Sequence, residues 1–290
     1  VTYSVVTNID KEHLDFYKNF EKLKKSFCSF VDKTPSFGKS LICLDNENSR
    51  SLLGRLKTKN FLTYGFDENA NYRIINIKRK INFSIFDIII KISGSKTYKI
   101  KNIRVNLIGD HNITNATAAT AIALNLGIKI NKIKKALNKF LGIQRRFTKI
   151  FSYKKREFYD DYAHHPTEIQ AVINSARQIY NKRKIISVFQ PHRFSRVKLL
   201  KKEFASSFKK CDEVILCPVY SAGEKKRYNF DQDRFSQLIS KKSKTQVVNI
   251  FNKEQLKKYF KKNLLSDELV ICMGAGSISN WIREIRTEFK

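Results

Sequence analysis

Two acids, a tyrosine and two histidines stand within six positions of the segment DDYAHHPTEI, residues 160–169. Such side chains can bind a metal, transfer protons or bind a polar substrate. The metal-site interpretation is weak, because neighbours on an extended segment point in opposite directions and no HExxH-type pair is present. A helix that begins at Pro166, with His165 near its cap and Glu168 in its first turn, explains part of the pattern. Capping leaves four residues unexplained: Asp160, Asp161, Tyr162 and His164.

A basic segment, FQPHRFSR at residues 189–196, carries Arg193 and Arg196 three positions apart, where a helix is expected to begin. A helix N-terminus beside two arginines can bind a carboxylate or a phosphate. A solvated charged face is the alternative, and it is favoured for two arginines considered alone. Two further segments, VYSAGE at 219–224 and MGAGSIS at 273–279, also come at the ends of apolar runs.

The elements that must position these segments are strands. In the second half of the chain, five nearly continuous apolar runs alternate with helical segments, which predicts a parallel sheet covered on both faces. Because the carboxyl ends of parallel strands meet at one edge of a sheet, the polar clusters after three of these strands are expected to form one site. The first half contains strands and helices, then β-structure over residues 71–107, then two helices. The predicted class is α/β with two domains, residues 1–145 and 146–290.

The segment FGKS, residues 37–40, looks like the end of a phosphate-binding loop. The first glycine of such a loop would fall at position 33, which is a lysine, and the following LICLD is typical of a strand where the motif needs a helix. We therefore predict that FGKS is not a phosphate-binding loop.

Composition narrows the class of protein. The net charge of +31 suggests a nucleic-acid partner, but lysines are spread along every helical segment and no nucleic-acid module is visible, so such a partner is not expected. No apolar run reaches the length of a membrane-spanning helix, and no span is expected. The five cysteines are scattered without a CxxC pair, which favours reduced core cysteines of a cytoplasmic protein.

Seven segments in order resemble the Mur ligase family: VTNIDKEHLD, GDHNITNATAA, GIQRRF, DDYAHHPTEI, FQPHRFSR, VYSAGE and GAGSI. The resemblance implies the back part of a central ATPase domain over residues 1–145, followed by a Rossmann-like C-terminal domain over 146–290. The N-terminal UDP-binding domain of the family and its phosphate-binding loop have no counterpart in the sequence. The chain is therefore expected to be a fragment, inactive alone, whose missing portion is supplied separately if at all.

The activity implied by the resemblance is the ATP-dependent joining of L-alanine to UDP-N-acetylmuramate in peptidoglycan precursor synthesis, through an acyl phosphate and with Mg²⁺. Two alternatives stay open. One is a sister ligase that reattaches recycled peptide, which has a different arginine segment in the family. The other is a non-catalytic remnant or basic binding module.

The resemblance also assigns roles to residues. His13 matches a magnesium ligand. Adenine binding is assigned to His111, Asn112 and Asn115. Phosphate binding is assigned to Arg146, and ribose binding to Asp161. The muramoyl carboxylate and alanine are assigned to five others: Tyr162, His164, His192, Arg193 and Arg196. Catalytic contributions are expected from Arg146, His164, Arg193 and Arg196. No role is assigned to Glu224 or to the turn 274–276.

Overall fold

The structure is a computed structural model that describes residues 1–92, 94, 96–224 and 230–289. It divides into two compact units, Val1–Leu141 and Gly142–Lys290, which are described separately. This division lies a few residues before the predicted domain boundary.

The first unit is built on a six-stranded sheet of order β1-β2-β3-β4-β5-β6. The strands are β1 Tyr3–Val6, β2 Lys39–Cys43, β3 Phe61–Gly65, β4 Tyr72–Arg79, β5 Ser84–Ile90 and β6 Tyr98–Val105. Strands β1 to β4 pair in parallel, and β4 to β6 form an antiparallel meander. The helices are α1 Leu14–Tyr17, α2 Phe20–Asp32, α3 Glu47–Arg50, α4 Asp110–Asn125 and α5 Ile130–Lys139.

The segment FGKS leads into a strand, as predicted, because β2 begins at Lys39. A Cβ atom on Gly38 would lie 1.8 Å from the backbone oxygen of Thr2. Glycine at this position is therefore explained by the close approach of two backbones, and not by phosphate binding.

The second unit is also built on six strands, in the order β11-β10-β9-β12-β8-β7. The strands are β7 Thr148–Tyr153, β8 Arg156–Asp161, β9 Ile185–Phe189, β10 Glu213–Leu216, β11 Gln246–Asn249 and β12 Leu269–Met273. The helices are α6 Pro166–Ile179, α7 Phe194–Leu199, α8 Lys201–Ala205, α9 Gln232–Ser243, α10 Lys253–Asn263 and α11 Ile278–Arg286.

Strands β8 to β12 pair in parallel, as predicted, and every residue of the neighbouring strands β9 and β12 is buried. The prediction missed β7, which runs antiparallel to β8 at the edge of the sheet. The two residues between these strands, Lys154 and Lys155, have φ values of 46° and 65°. A two-residue turn of this kind is usually marked by asparagine or glycine, so two lysines gave no signal for the hairpin.

The five cysteines are all buried, as predicted for core cysteines, and each is a free thiol in the structure. Burial raises the pKa of Cys43 to about 11, so its thiol is protonated at neutral pH. Across the described residues, no helix combines the length and apolar composition that a membrane crossing requires.

Candidate functional site at the carboxyl edge of the second sheet

The two aspartates at the end of β8 point in opposite directions, as expected for an extended segment. Asp160 is fully buried and accepts hydrogen bonds from Ser279 Oγ (2.6 Å) and Arg283 Nη2 (2.9 Å), both in α11. Asp161 accepts backbone N–H groups, from Phe147 at 2.7 Å and from Ala163 at 2.8 Å. Asp160 therefore holds α11 against the sheet. Asp161 holds the segment before β7 next to the start of the loop that follows β8.

The carboxylate of Asp161 is 2% exposed. Burial raises the pKa of Asp161 to about 6, although the two backbone N–H groups act in the opposite direction. Each oxygen of this carboxylate already accepts one backbone N–H, and its burial limits the access of a ribose hydroxyl. The structure thus gives Asp161 a fastening role, and its nucleotide role stays a prediction.

The start of α6 confirms the predicted cap. Pro166 is the first helical residue, and the ring of His165 accepts the backbone N–H of Thr167 at 3.4 Å. The Glu168 carboxylate accepts the backbone N–H groups of His164 (3.0 Å) and His165 (3.3 Å). This reciprocal capping box fixes the backbone that presents His164.

The ring of His164 is oriented by two acceptors. Its Nδ1 atom lies 2.9 Å from the backbone oxygen of Tyr162 and 3.3 Å from Oε2 of Glu168. In the neutral imidazole, Nδ1 therefore carries the proton and Nε2 is the acceptor. The ring also lies edge-on to Tyr162, with 5.0 Å between centroids.

The two arginines of GIQRRF occupy different positions. Arg145 donates from Nη2 to the backbone oxygen of Gly274 at 2.6 Å, and its guanidinium lies 4.7 Å from the ring centroid of Tyr162. The Nε atom of Arg145 also lies 3.9 Å from Oδ2 of Asp160. The side chain of Arg146 is 51% exposed and lies 3.7 Å from Glu168. Arg145 connects the turn at Gly274 to Tyr162, a role that the sequence motifs did not predict. Arg146 is more exposed and is accessible to a ligand.

His192, after β9, connects the neighbouring loops. Its ring stacks on Tyr220, with centroids 5.7 Å apart, and lies 5.8 Å from the ring of His164. Nη1 of Arg196 is 3.5 Å from Nδ1 of His192. Burial, followed by the charge of Arg196, lowers the pKa of His192 to about 4, so the ring is neutral at physiological pH.

The backbone ties the loop after β9 to the loop after β10. The Arg193 N–H donates to the oxygen of Tyr220, and the Tyr220 N–H donates to the oxygen of Pro191, both at 2.8 Å. Arg193 has a φ of 67°, a value that L-residues with side chains rarely adopt. The predicted substrate residues after β8 and β9 thus lie around one carboxyl edge, together with Tyr220.

The turn 274–276 requires glycine. A Cβ atom on Gly274 would lie 2.7 Å from the backbone oxygen of Gln190, and one on Gly276 would lie 2.5 Å from both Oε1 of Gln190 and Cγ of Tyr220. Gln190 is buried, and its Oε1 accepts the Ile278 N–H at 2.9 Å. The turn packs α11 against the loop after β9, which gives it a structural role.

The remaining predicted residues lie in the first unit. His13 is exposed, with a φ of 53°, at the start of α1. His111 and Asn112 are in the first turn of α4, where Nδ2 of Asn112 donates to the oxygen of Ile108 at 2.7 Å and lies 3.1 Å from the ring of His111. Asn115 is exposed one turn later. Among the residues that the structure describes, no group of three His, Cys, Asp or Glu side chains that could hold a metal ion includes His13.

The donor set does not fit a magnesium site made by this chain alone. Mg²⁺ prefers six oxygen ligands, whereas the family resemblance supplies only the imidazole of His13. Over the part of the chain that the structure describes, no three His, Cys, Asp or Glu side chains are arranged to hold a metal ion.

Known family models match both units of the chain. Residues 1–123 match the Mur ligase middle domain, and residues 145–276 match the Mur ligase glutamate ligase domain. The chain belongs to the Mur ligase family. The resemblance and the mixed α/β fold predicted from the sequence are thereby confirmed.

Two curated relatives carry the same name. The chain is 50% identical over 284 residues to the UDP-N-acetylmuramate–L-alanine ligase of Pelagibacter ubique, covering 98% of this chain and 61% of that protein. It is 36% identical over 278 residues to the ligase of the same name from Brucella anthropi, covering 96% and 59%. The chain therefore spans about three-fifths of the length of these curated relatives.

Solved Mur ligases share the fold. UDP-N-acetylmuramate-alanine ligase MurC from Thermotoga maritima superposes with a TM-score of 0.74 at 22% identity, over 99% of this chain and 59% of that one. MurF from Acinetobacter baumannii gives the same TM-score at 16% identity, over 99% and 60%. At these identities the likeness establishes the fold alone.

Proposed function

We propose that this chain forms part of a cytoplasmic ligase that joins L-alanine to UDP-N-acetylmuramate at the expense of ATP. The observation that carries the proposal is the 50% identity, along 98% of the chain, with a relative of that name. The grouping of Tyr162, His164, His192, Arg193 and Arg196 at one sheet edge supports it, because a ligand at the carboxyl ends of parallel strands would contact them together.

The proposed reaction proceeds in two steps. ATP transfers its γ-phosphoryl group to the muramoyl carboxylate, which gives an acyl phosphate and ADP. The alanine amine then attacks the acyl carbon, loses a proton, and expels inorganic phosphate as the amide forms. Negative charge grows on phosphoryl and carbonyl oxygens in both steps, so fixed positive groups stabilise the transition states.

The arginines supply that positive charge. Arg146 is the accessible guanidinium at the start of the second unit and is assigned to phosphate. Arg193 and Arg196 are assigned to the substrate carboxylates, to which a guanidinium can donate two parallel hydrogen bonds. His111, Asn112 and Asn115 are assigned to adenine. Mg²⁺ would neutralise phosphate charge, and no step is assigned to it because the chain offers only His13.

The neutral state of His192 suits an incoming amino acid. A protonated ring would add a third positive charge beside Arg193 and Arg196 and would repel the alanine ammonium. With its pKa lowered to about 4, His192 can instead accept a hydrogen bond from a substrate N–H group. His164, with Nδ1 held by Tyr162 and Glu168, presents Nε2 as a second acceptor.

The test is a reconstituted enzyme. The 290-residue chain would be co-expressed with the remaining portion of the Pelagibacter relative and assayed by mass spectrometry for ATP-dependent UDP-N-acetylmuramoyl-alanine. Arg193→Ala and Arg196→Ala should each raise the KM for UDP-N-acetylmuramate by roughly 10- to 100-fold, because a charged hydrogen bond contributes about 1.5–3 kcal/mol. The KM for ATP should change much less.

Arg234→Ala, at a site 82% exposed on α9, is the matched control and should leave all constants unchanged. Absence of product from the wild-type pair, with the relative's own complete enzyme active, would contradict the proposed function. Ligation of a recycled tripeptide in place of alanine would favour the sister ligase. Unchanged substrate constants in both arginine variants would refute the assignment of the pair.

A further inference from the structure

Arg193 is held in a costly backbone conformation. Its φ and ψ are 67° and 129°, in a region that non-glycine residues rarely occupy. Such conformations persist only where the surroundings enforce them. The Nε atom of the side chain is buried and makes no hydrogen bond within the described residues, so this atom does not hold the segment. Something other than Arg193 itself must hold this segment.

The loop after β10 supplies the hold. Ala222 and Gly223 have φ values of 50° and 83°, and the Glu224 N–H donates to the oxygen of Ser221 at 3.0 Å. This tight turn directs Glu224 back towards α7. One carboxylate oxygen of Glu224 accepts the backbone N–H of Ser195 at 3.2 Å, and the other accepts the Ser195 hydroxyl.

The ionised carboxylate of Glu224, which lies outside helix α7, caps the N-terminus of that helix. Helix α7 has no side-chain cap at its own N-cap residue, which is Arg193. Burial acts to raise the pKa of Glu224, but the two Ser195 hydrogen bonds and the charge of Arg193 outweigh it, so the pKa is lowered. The carboxylate is therefore charged at neutral pH and binds Ser195 as an anion, which strengthens both hydrogen bonds.

We propose that Glu224 is a positioning residue that holds Arg193 and Arg196 in the geometry of the substrate anion site. The inference rests on the proposed function and extends it to a residue to which the family resemblance assigned no role. Ser195 lies between the two arginines, so fixing its backbone and hydroxyl sets the direction of both side chains. Direct contact of Glu224 with substrate is not needed, because both of its oxygens are engaged by Ser195.

The test uses inorganic phosphate as the probe and the complete 290-residue chain. The ¹⁵N–¹H signals of the arginine Nε groups, assigned by the Arg193→Lys and Arg196→Lys variants, would be followed during a phosphate titration. The wild-type chain should show saturable shifts at both arginines. Glu224→Ala should weaken phosphate binding by about tenfold and shift the Arg193 signal before phosphate is added, as expected when a charged hydrogen bond is lost.

Glu224→Gln separates geometry from charge. A glutamine can accept the Ser195 N–H and donate to the Ser195 hydroxyl, so a positioning role predicts affinity within about threefold of wild type. If Glu224→Gln is as weak as Glu224→Ala, hydrogen bonds to Ser195 do not set the geometry of the site, and the positioning proposal is wrong. Glu203→Gln, an exposed carboxyl on α8, is the matched control and should not alter binding.

A double-mutant cycle adds a second check. Ser195→Ala should weaken phosphate binding less than Glu224→Ala, because the backbone N–H remains, and the combined variant should match Glu224→Ala alone. Unchanged Arg193 signals and affinity in a folded Glu224→Ala chain would overturn the inference, as would a wild-type chain with no saturable phosphate response. Failure of alanine ligation in the reconstituted enzyme, with this phosphate result intact, would instead contradict only the proposed function.

Discussion

Replacing Asp161 by asparagine should remove a pH-dependent loss of stability from the second unit. The carboxylate is 2% exposed, and its pKa is raised by burial from 3.8 to about 6. Ionisation therefore opposes folding. Stability from this group is fully present below the unfolded pKa and is lost as pH rises through the folded pKa. The whole shift corresponds to about 3 kcal/mol, and about 2 kcal/mol of it falls between pH 4.5 and 7.5.

An asparagine carries no charge at any of these pH values. Its Oδ1 can accept only one of the two N–H groups, of Phe147 and Ala163, that the aspartate accepts, and this loss does not depend on pH. The unfolding free energy of Asp161→Asn relative to wild type should therefore rise by about 2 kcal/mol from pH 4.5 to pH 7.5.

Urea unfolding at a series of pH values measures this difference. The single tryptophan, Trp281, lies in α11, so its fluorescence reports on the second unit. Glu203→Gln, at an exposed carboxyl, should show no change with pH relative to wild type. A difference between Asp161→Asn and wild type that stays constant from pH 4.5 to 7.5, or falls, would refute the reasoning.

Three further substitutions test the packing around the sites. Arg283→Met should lower the free energy of unfolding in urea by about 2–3 kcal/mol, because it removes a donor from the buried Asp160 carboxylate. Asp160→Asn in the same chain should recover most of that loss. Additive effects of the two substitutions would contradict the pairing. Gly276→Ala should lower the free energy of unfolding by about 1–3 kcal/mol, because the added Cβ has no room. Gly54→Ala is the control: its Cβ would meet nothing within 4 Å, so thermal unfolding of the first unit should not change. Arg79 binds Asp110, in the first turn of α4, through Nε and Nη2. Arg79→Met should lower the free energy of unfolding by less than about 1 kcal/mol but speed amide hydrogen exchange in that turn. Unchanged exchange would rule out this anchoring role.

Local chemistry in the sequence determined much of this protein. The apolar runs of β8, β9, β10 and β12 predicted a parallel sheet, because strands buried on both faces carry no alternation. The segment HHPTE predicted the start of α6, since proline, the cap residue and the glutamate interact within five positions. The rule that parallel strands end at one edge predicted that the polar segments would meet. The ordered motifs predicted the family.

Tertiary structure alone decided which polar side chains hold the fold together and which stay exposed. Asp160 and Asp161 are adjacent and identical, yet Asp160 binds α11, 119 and 123 residues away, while Asp161 binds Phe147, 14 residues away. Arg145 reaches Gly274 across 129 residues, and Arg146 stays exposed. Glu224 meets Ser195 only because a turn folds the β10 loop over α7. The sequence pattern indicates local features, namely hydrophobic periodicity and helix caps. The long-range hydrogen-bond partners depend instead on which distant segments the order of the strands brings within hydrogen-bonding distance.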